Sequence, residues 1–133
     1  MSIRLDHTIV HSRDPKAAAS FLAGILGLPA PTSFGPFQVV RLENGASLDF
    51  LDADGMKIQM QHYAFRVDED ELDAVFARVQ DRGLAYWADP YKKRPGELYH
   101  HEGGRGLYFD DPSGHLLEVL TRPHEGGGTP RKV

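Results

Sequence analysis

The sequence predicts an α+β fold built from two copies of one strand–helix–strands unit. Three observations carry that prediction. Two amphipathic helical stretches each follow a strand-like run, and each is followed in turn by short strand candidates joined at turn residues. The halves also keep a constant offset: His7 and His62, and likewise Phe21 and Phe76, stand 55 residues apart.

A first strand is predicted over residues 3–10. Asp14-Pro15 then supplies an N-cap and a first-turn proline, Ala18, Phe21, Leu22 and Ile25 recur at helical spacing, and Gly27 stops the helix. A short strand is expected near 31–34. Strands over 37–42 and 46–52 follow, joined by Asn44-Gly45, a two-residue hairpin signal.

The second copy opens with a strand over 56–67. Asp68-Glu69-Asp70 places acids at a helix start, where the macrodipole favours them. Leu72, Val75, Phe76 and Val79 form the apolar face, and Gly83 closes the helix. Strands are expected near 84–87, over 106–110 and over 115–121, the last two joined by the Asp-Pro-Ser-Gly turn at 111–114. Between Ala88 and Arg105 lies a long polar insert with Lys92, Lys93, Arg94, His100 and His101. Its length suits a lid or binding loop, and its charge equally suits a solvated one. A single domain is expected over 1–122, with modules of about 1–54 and 55–122, and a disordered Gly/Pro-rich tail over 123–133.

With 133 residues the chain is long enough for a genuine core, and its 41% hydrophobic and 26% charged residues are those of an ordinary globular domain. The net charge of −4 argues against nucleic acid as partner, because phosphate contacts need a basic face. The absence of cysteine excludes disulfides, thiolate metal ligands and thiol nucleophiles. The first residues lack the apolar core of a signal peptide, and the most apolar stretch, 17–28, is too short to span a bilayer. A cytoplasmic protein without membrane or nucleic-acid partners is the expectation.

The chemistry lies in the repeat. A lone histidine on a strand is more often structural than functional, but here each half offers one histidine on its first strand and one acid on its last. In His115-Leu116-Leu117-Glu118-Val119-Leu120, alternation puts Leu116, Glu118 and Leu120 on one face and Leu117 and Val119 on the other. So apolar a strand must give its carboxylate a partner, since burying it alone is costly. Asp49 takes the equivalent place in Ser47-Leu48-Asp49-Phe50-Leu51. Two imidazoles and a carboxylate suit iron, manganese, nickel or zinc and leave positions open for water or substrate. The competing reading pairs Glu118 with Arg66 or Arg122 and leaves both histidines structural.

The paired modules, "LDHTIV" and "QHYAF" with their histidines, and "LYFDDPSGHLLEV" resemble the vicinal oxygen chelate superfamily. That superfamily includes glyoxalase I, fosfomycin-resistance thiol transferases, bleomycin-resistance proteins and extradiol dioxygenases. The resemblance covers residues 1 to about 122. It implies two βαβββ modules whose curved mixed sheets enclose a metal-binding cleft. It also implies His7, His62 and Glu118 as ligands of a divalent metal, Fe2+ in first place and Mn2+, Ni2+ or Zn2+ otherwise. Asp49 sits where glyoxalase I has a glutamate ligand; one methylene shorter, it is expected to act as ligand, base or neither. Many two-module members are homodimers, in which His7 of one copy would complete a site with His62 and Glu118 of the other; others close the site within one chain, and the sequence does not decide between the two.

Leu107-Tyr108, Asp111-Pro112, Gly114 and Glu118 look like the terminal signature of extradiol dioxygenases. By that likeness Tyr108 would hydrogen-bond a catecholate oxygen and His101 would contact substrate or oxygen. The sequence departs from the pattern at Tyr99, where a small or β-branched residue is usual. It also has no histidine in 45–61, where extradiol enzymes carry an acid–base group, a role Asp49 would have to take. The expected function is therefore a metal-dependent, dioxygenase-like enzyme acting on a small oxygen-chelating molecule. Two alternatives stand beside it. One is a glyoxalase- or thiol-transferase-like enzyme using the metal as Lewis acid. The other is a drug-binding protein, with Tyr86, Trp87 and Tyr91 as aromatic walls.

Overall fold

The computed structural model describes residues 2–122. The expected disordered tail, 123–133, lies outside the described residues. Those residues fall into two compact units divided after Met60, with the Asp111–Gly114 turn grouped with the first.

The first unit contains β1 (His7–Ser12), α1 (Pro15–Leu26), β2 (Thr32–Phe34), β3 (Phe37–Arg41) and β4 (Ser47–Asp52). Its sheet runs β1-β4-β3-β2, with β1 parallel to β4 and the other pairs antiparallel. The second unit contains β5 (His62–Arg66), α2 (Glu69–Asp81), β6 (Tyr99–His101), β7 (Gly104–Asp110) and β8 (Leu116–Leu120). Its sheet runs β5-β8-β7-β6, with β5 parallel to β8. The predicted βαβββ pattern occurs twice.

Local chemistry sets the helix ends. Asp14 has extended backbone and accepts the Ala17 amide at 3.1 Å, Pro15 starts α1, and Gly27, at φ 70°, ends it in the left-handed region. In α2, Glu71 reaches back to the Asp68 amide at 3.2 Å, and Glu69, Asp70 and Glu71 fill the first turn. One face of each sheet is covered by its helix. In the first unit Leu22 and Ile25 are buried with Val10, Val40, Leu48 and Phe50. In the second, Leu72, Val75 and Val79 are buried with Leu107, Phe109, Leu117 and Val119. Each such side chain contributes about 1.5–3 kcal/mol.

The parallel pairs place the two histidines and the two acids identically. His7 lies opposite Ser47 and His62 opposite Leu116, so Asp49 and Glu118 each fall two residues beyond their histidine's partner. Both acids therefore lie on the sheet face turned away from the helix.

Some strands differ from expectation. The first begins at His7 rather than residue 3, because β4 starts opposite it at Ser47; Ile3 and Leu5 are exposed. The second-unit opening strand covers only His62–Arg66, since the chain first turns through Asp54 and Gly55, both with positive φ. The strand expected near 84–87 shrinks to isolated bridges at Trp87, one to Pro95 and one to Tyr108, with which it exchanges backbone hydrogen bonds of 2.9 Å. The polar insert is an ordered turn: Asp89 accepts the Lys93 amide at 2.9 Å and the Arg94 amide at 2.8 Å. It ends in β6, a strand absent from the sequence prediction. Among the described residues no helix is long and apolar enough to cross a membrane.

Candidate metal centre

The open face of the second unit gathers His62, Glu118, Tyr108 and Tyr99. Strand β8 buries Glu118 to 2% exposure between Leu116 and Leu120, so its carboxylate depends on close polar partners. His62, at the start of β5, places Nε2 3.1 Å from Oε1 of Glu118. The Tyr99 hydroxyl donates to the other oxygen, Oε2, at 2.5 Å. Tyr108, paired with Glu118 across β7 and β8, also reaches the carboxylate, and its ring stacks on His62 with centroids 5.9 Å apart. Burial pushes both phenols above the ordinary tyrosine value, and the neighbouring Glu118 charge adds to the effect. Each therefore keeps its proton and acts as a donor.

The second ring nitrogen of His62 decides what that imidazole can do. Its Nδ1 lies 3.1 Å from the Leu116 carbonyl oxygen, and that oxygen, like the carboxylate, only accepts. A neutral imidazole therefore satisfies one of the two partners and an imidazolium both. With the proton on Nδ1, Nε2 is a lone pair facing a carboxylate lone pair. That arrangement is repulsive unless a cation lies between them. A neutral imidazole with its far N–H on a carbonyl, beside a buried carboxylate, is the donor set that borderline divalent metals take. The residues fit such an ion.

In the first unit the equivalent groups are arranged differently. His7 is exposed, and its Nδ1 lies 2.7 Å from Oδ2 of Asp6. That hydrogen bond, with a further contribution from Asp49, holds its imidazole above the ordinary histidine value. Asp49 accepts the Ser47 hydroxyl at 2.7 Å. Both groups border an open groove of about 450 Å³ whose walls include Phe34, Phe37, Val39 and Arg41.

The structure thus brings His62 together with Glu118 and Tyr108, and places His7 and Asp49 on the first unit. Among the described residues no group of three histidine and acidic side chains stands close enough to hold a metal ion. His101 shares its strand face with Tyr99 but lies opposite Gly104, one pleat further from Glu118. Tyr99 is the residue that sequence reasoning missed. The available signal was the glycine-rich Gly103-Gly104-Arg105-Gly106 beside it, since an aromatic ring commonly covers a glycine on the neighbouring strand.

Comparison with known proteins agrees with the fold. Two solved structures, "Oxidase ChaP-H1" and "Oxidase ChaP-H2", are 53% and 55% identical to the chain, each with a TM-score of 0.90. The matches cover 95% and 97% of this chain and the whole of both relatives. A curated relative, "Metallothiol transferase FosB" of Shouchella clausii (strain KSM-K16), is 38% identical over 71 residues, which is 53% of this chain and 44% of that protein. The chain thus spans less than half the length of that relative. Residues 4–119 match the model of one family, and the chain belongs to the Glyoxalase/Bleomycin resistance protein/Dioxygenase superfamily.

Proposed function

We propose that the protein is a divalent-metal-dependent oxidoreductase of dioxygenase type, acting on a small molecule that chelates metal through neighbouring oxygens. The observation that carries this reading is the His62–Glu118 pair, with Nδ1 committed to Leu116 and Nε2 3.1 Å from a buried carboxylate oxygen. Divalent metals are usual in the superfamily. The full-length similarity to two proteins named as oxidases favours oxidation over group transfer.

In this reading His62 and Glu118 supply two ligands and His7 the third. We take His7 to come from a second copy in a homodimer, as in many two-module members of the superfamily. Fe2+ is the favoured ion, with Mn2+, Ni2+ and Zn2+ next. A bound ion would supply Lewis acidity and open positions for two substrate oxygens. Tyr108, kept protonated, donates a hydrogen bond to a substrate oxygen. In this reading Asp49, which borders a groove with His7, accepts a proton, and His101 approaches substrate from β6.

The test is metal content of the purified protein, then anaerobic reconstitution with each ion and oxygen uptake in the presence of catechols. Iron binding with catechol-dependent uptake is the expected result. Tight metal binding with no oxygen chemistry on any ion would replace this reading with the Lewis-acid transferase one, which the FosB similarity supports. No metal binding at all would leave a binding protein.

A further inference from the structure

We infer that Tyr99 is a positioning residue for the metal. By holding Oε2 of Glu118, it restricts the carboxylate to presenting Oε1 alone, and Gly106 is glycine so that it can do so. The inference rests on reading His62 and Glu118 as ligands.

The phenol starts on β6, passes across β7 and ends on β8, 2.5 Å from Glu118. Gly106 lies directly opposite Tyr99 in the register. A Cβ at residue 106 would sit 2.3 Å from Cζ, 2.4 Å from the hydroxyl oxygen and 2.6 Å from Cε2 of Tyr99. These distances are far inside van der Waals contact, so the ring occupies the space that any other residue's side chain would fill. Tyr99 is itself buried to 9% exposure, which fixes the hydroxyl as firmly as the ring.

The first unit serves as an internal control. Its register places Phe34 opposite Phe37, where the second unit has Tyr99 opposite Gly106. The aromatic there has no hydroxyl and no glycine to lie over. Asp49, the counterpart of Glu118, takes the hydroxyl of Ser47 on its own strand instead. The tyrosine–glycine pair therefore belongs to one copy of the repeat, the copy whose acid faces a histidine. A glutamate has several rotatable bonds and two equivalent oxygens. With Oε2 committed to the phenol, the remaining oxygen is aimed at His62 Nε2 and the carboxylate binds through one atom. Groups that orient ligands in this way commonly change metal affinity by about 10–100-fold when removed.

The experiment measures Zn2+ affinity by chelator competition and records the visible spectrum of the Co2+-loaded full chain. Tyr99→Phe keeps the ring and removes only the hydroxyl. It is expected to lower Zn2+ affinity about 10–100-fold and to change the intensity of the Co2+ bands as the carboxylate gains freedom to bind through both oxygens. Gly106→Ala keeps the hydroxyl and displaces the ring, and should match the affinity loss. Adding Tyr99→Phe to it should then cost nothing more. Should Gly106→Ala not fold, Tyr99→Phe alone decides. Affinity within twofold of wild type with an unchanged Co2+ spectrum in Tyr99→Phe would overturn the positioning role while leaving the metal centre standing. A wild-type chain that binds neither ion would overturn both.

Discussion

His62 holds its Nε2 atom 3.1 Å from Oε1 of Glu118, while the neighbouring carbonyl of Leu116 fixes its other nitrogen. If a metal is held there, either partner is indispensable. Glu118→Ala and His62→Ala should each lower metal affinity at least about 100-fold, or roughly 2.7 kcal/mol. Glu118→Ala also leaves the Tyr99 hydroxyl without its acceptor, a cost of about 1–3 kcal/mol that the fold should survive. Calorimetric titration beside a circular-dichroism spectrum checks both statements. Wild-type affinity in a folded Glu118→Ala variant would exclude this carboxylate as a ligand.

The proposed sharing of the site between two copies makes a complementation prediction. His7→Ala and Glu118→Ala homodimers should each bind metal poorly. Mixed and allowed to exchange subunits, they should regain one intact site per mixed dimer. Asp49→Ala, whose carboxylate is engaged with Ser47, should cost less affinity than either ligand variant, because that carboxylate is not among the proposed ligands. If both variants fold and exchange but mixing recovers no binding, the third ligand lies within one chain.

The features the sequence made legible are those set by local rules. The two faces of β8 followed from alternation alone: Leu116 and Leu120 cluster with Tyr99 and Tyr108, and Glu118 sits between them. The helices were legible because Asp14, Pro15 and Gly27 act on their own turn. Tyr99 was not legible as a partner of Glu118. Its strand is three residues long, it pairs with glycines that carry no hydrophobic pattern, and the bond crosses two other strand positions to close. The extent of β1 was misread for a related reason. Ile3 and Leu5 look like strand residues, but a strand exists only where another offers its backbone groups. The carboxylate's expected need for a partner was correct; among its partners are a phenol and an imidazole, drawn from strands that the linear order does not place beside it.

Core truncation tests the second unit. Leu72 is fully buried on the inner face of α2. Leu72→Ala should destabilise the protein by about 2–5 kcal/mol, from lost transfer energy plus a residual cavity. Urea unfolding measures it, and a change below about 1 kcal/mol would mean that the α2 face is not packed as described.

Capping offers a smaller, local test. Asp14 accepts the Ala17 amide at 3.1 Å at the start of α1. Asp14→Ala should cost about 1 kcal/mol, and Asp14→Asn much less, because asparagine caps as well as aspartate. Equal losses in both variants would place the effect in charge rather than in the hydrogen bond.

The last prediction concerns pH. Arg105 on β7 binds Glu69 at 2.8 Å and Asp73 at 2.9 Å, joining the strand to the first turns of α2. A hydrogen bond from Thr121, then the Arg105 guanidinium, hold the Glu69 carboxyl below its ordinary value. The folded state thus takes up a proton on Glu69 less readily than the unfolded chain does. The stabilisation is complete above the ordinary glutamate value of about 4.3 and is lost as pH falls through the lower, folded value. Arg105→Gln should therefore melt below wild type at neutral pH, with a gap that closes on acidification to about pH 3. The gap should also shrink in high salt, since both acids are more than half exposed. Thermal melts of both proteins from pH 7 downward test this, and a gap constant across the range would mean that Arg105 acts by packing rather than by charge.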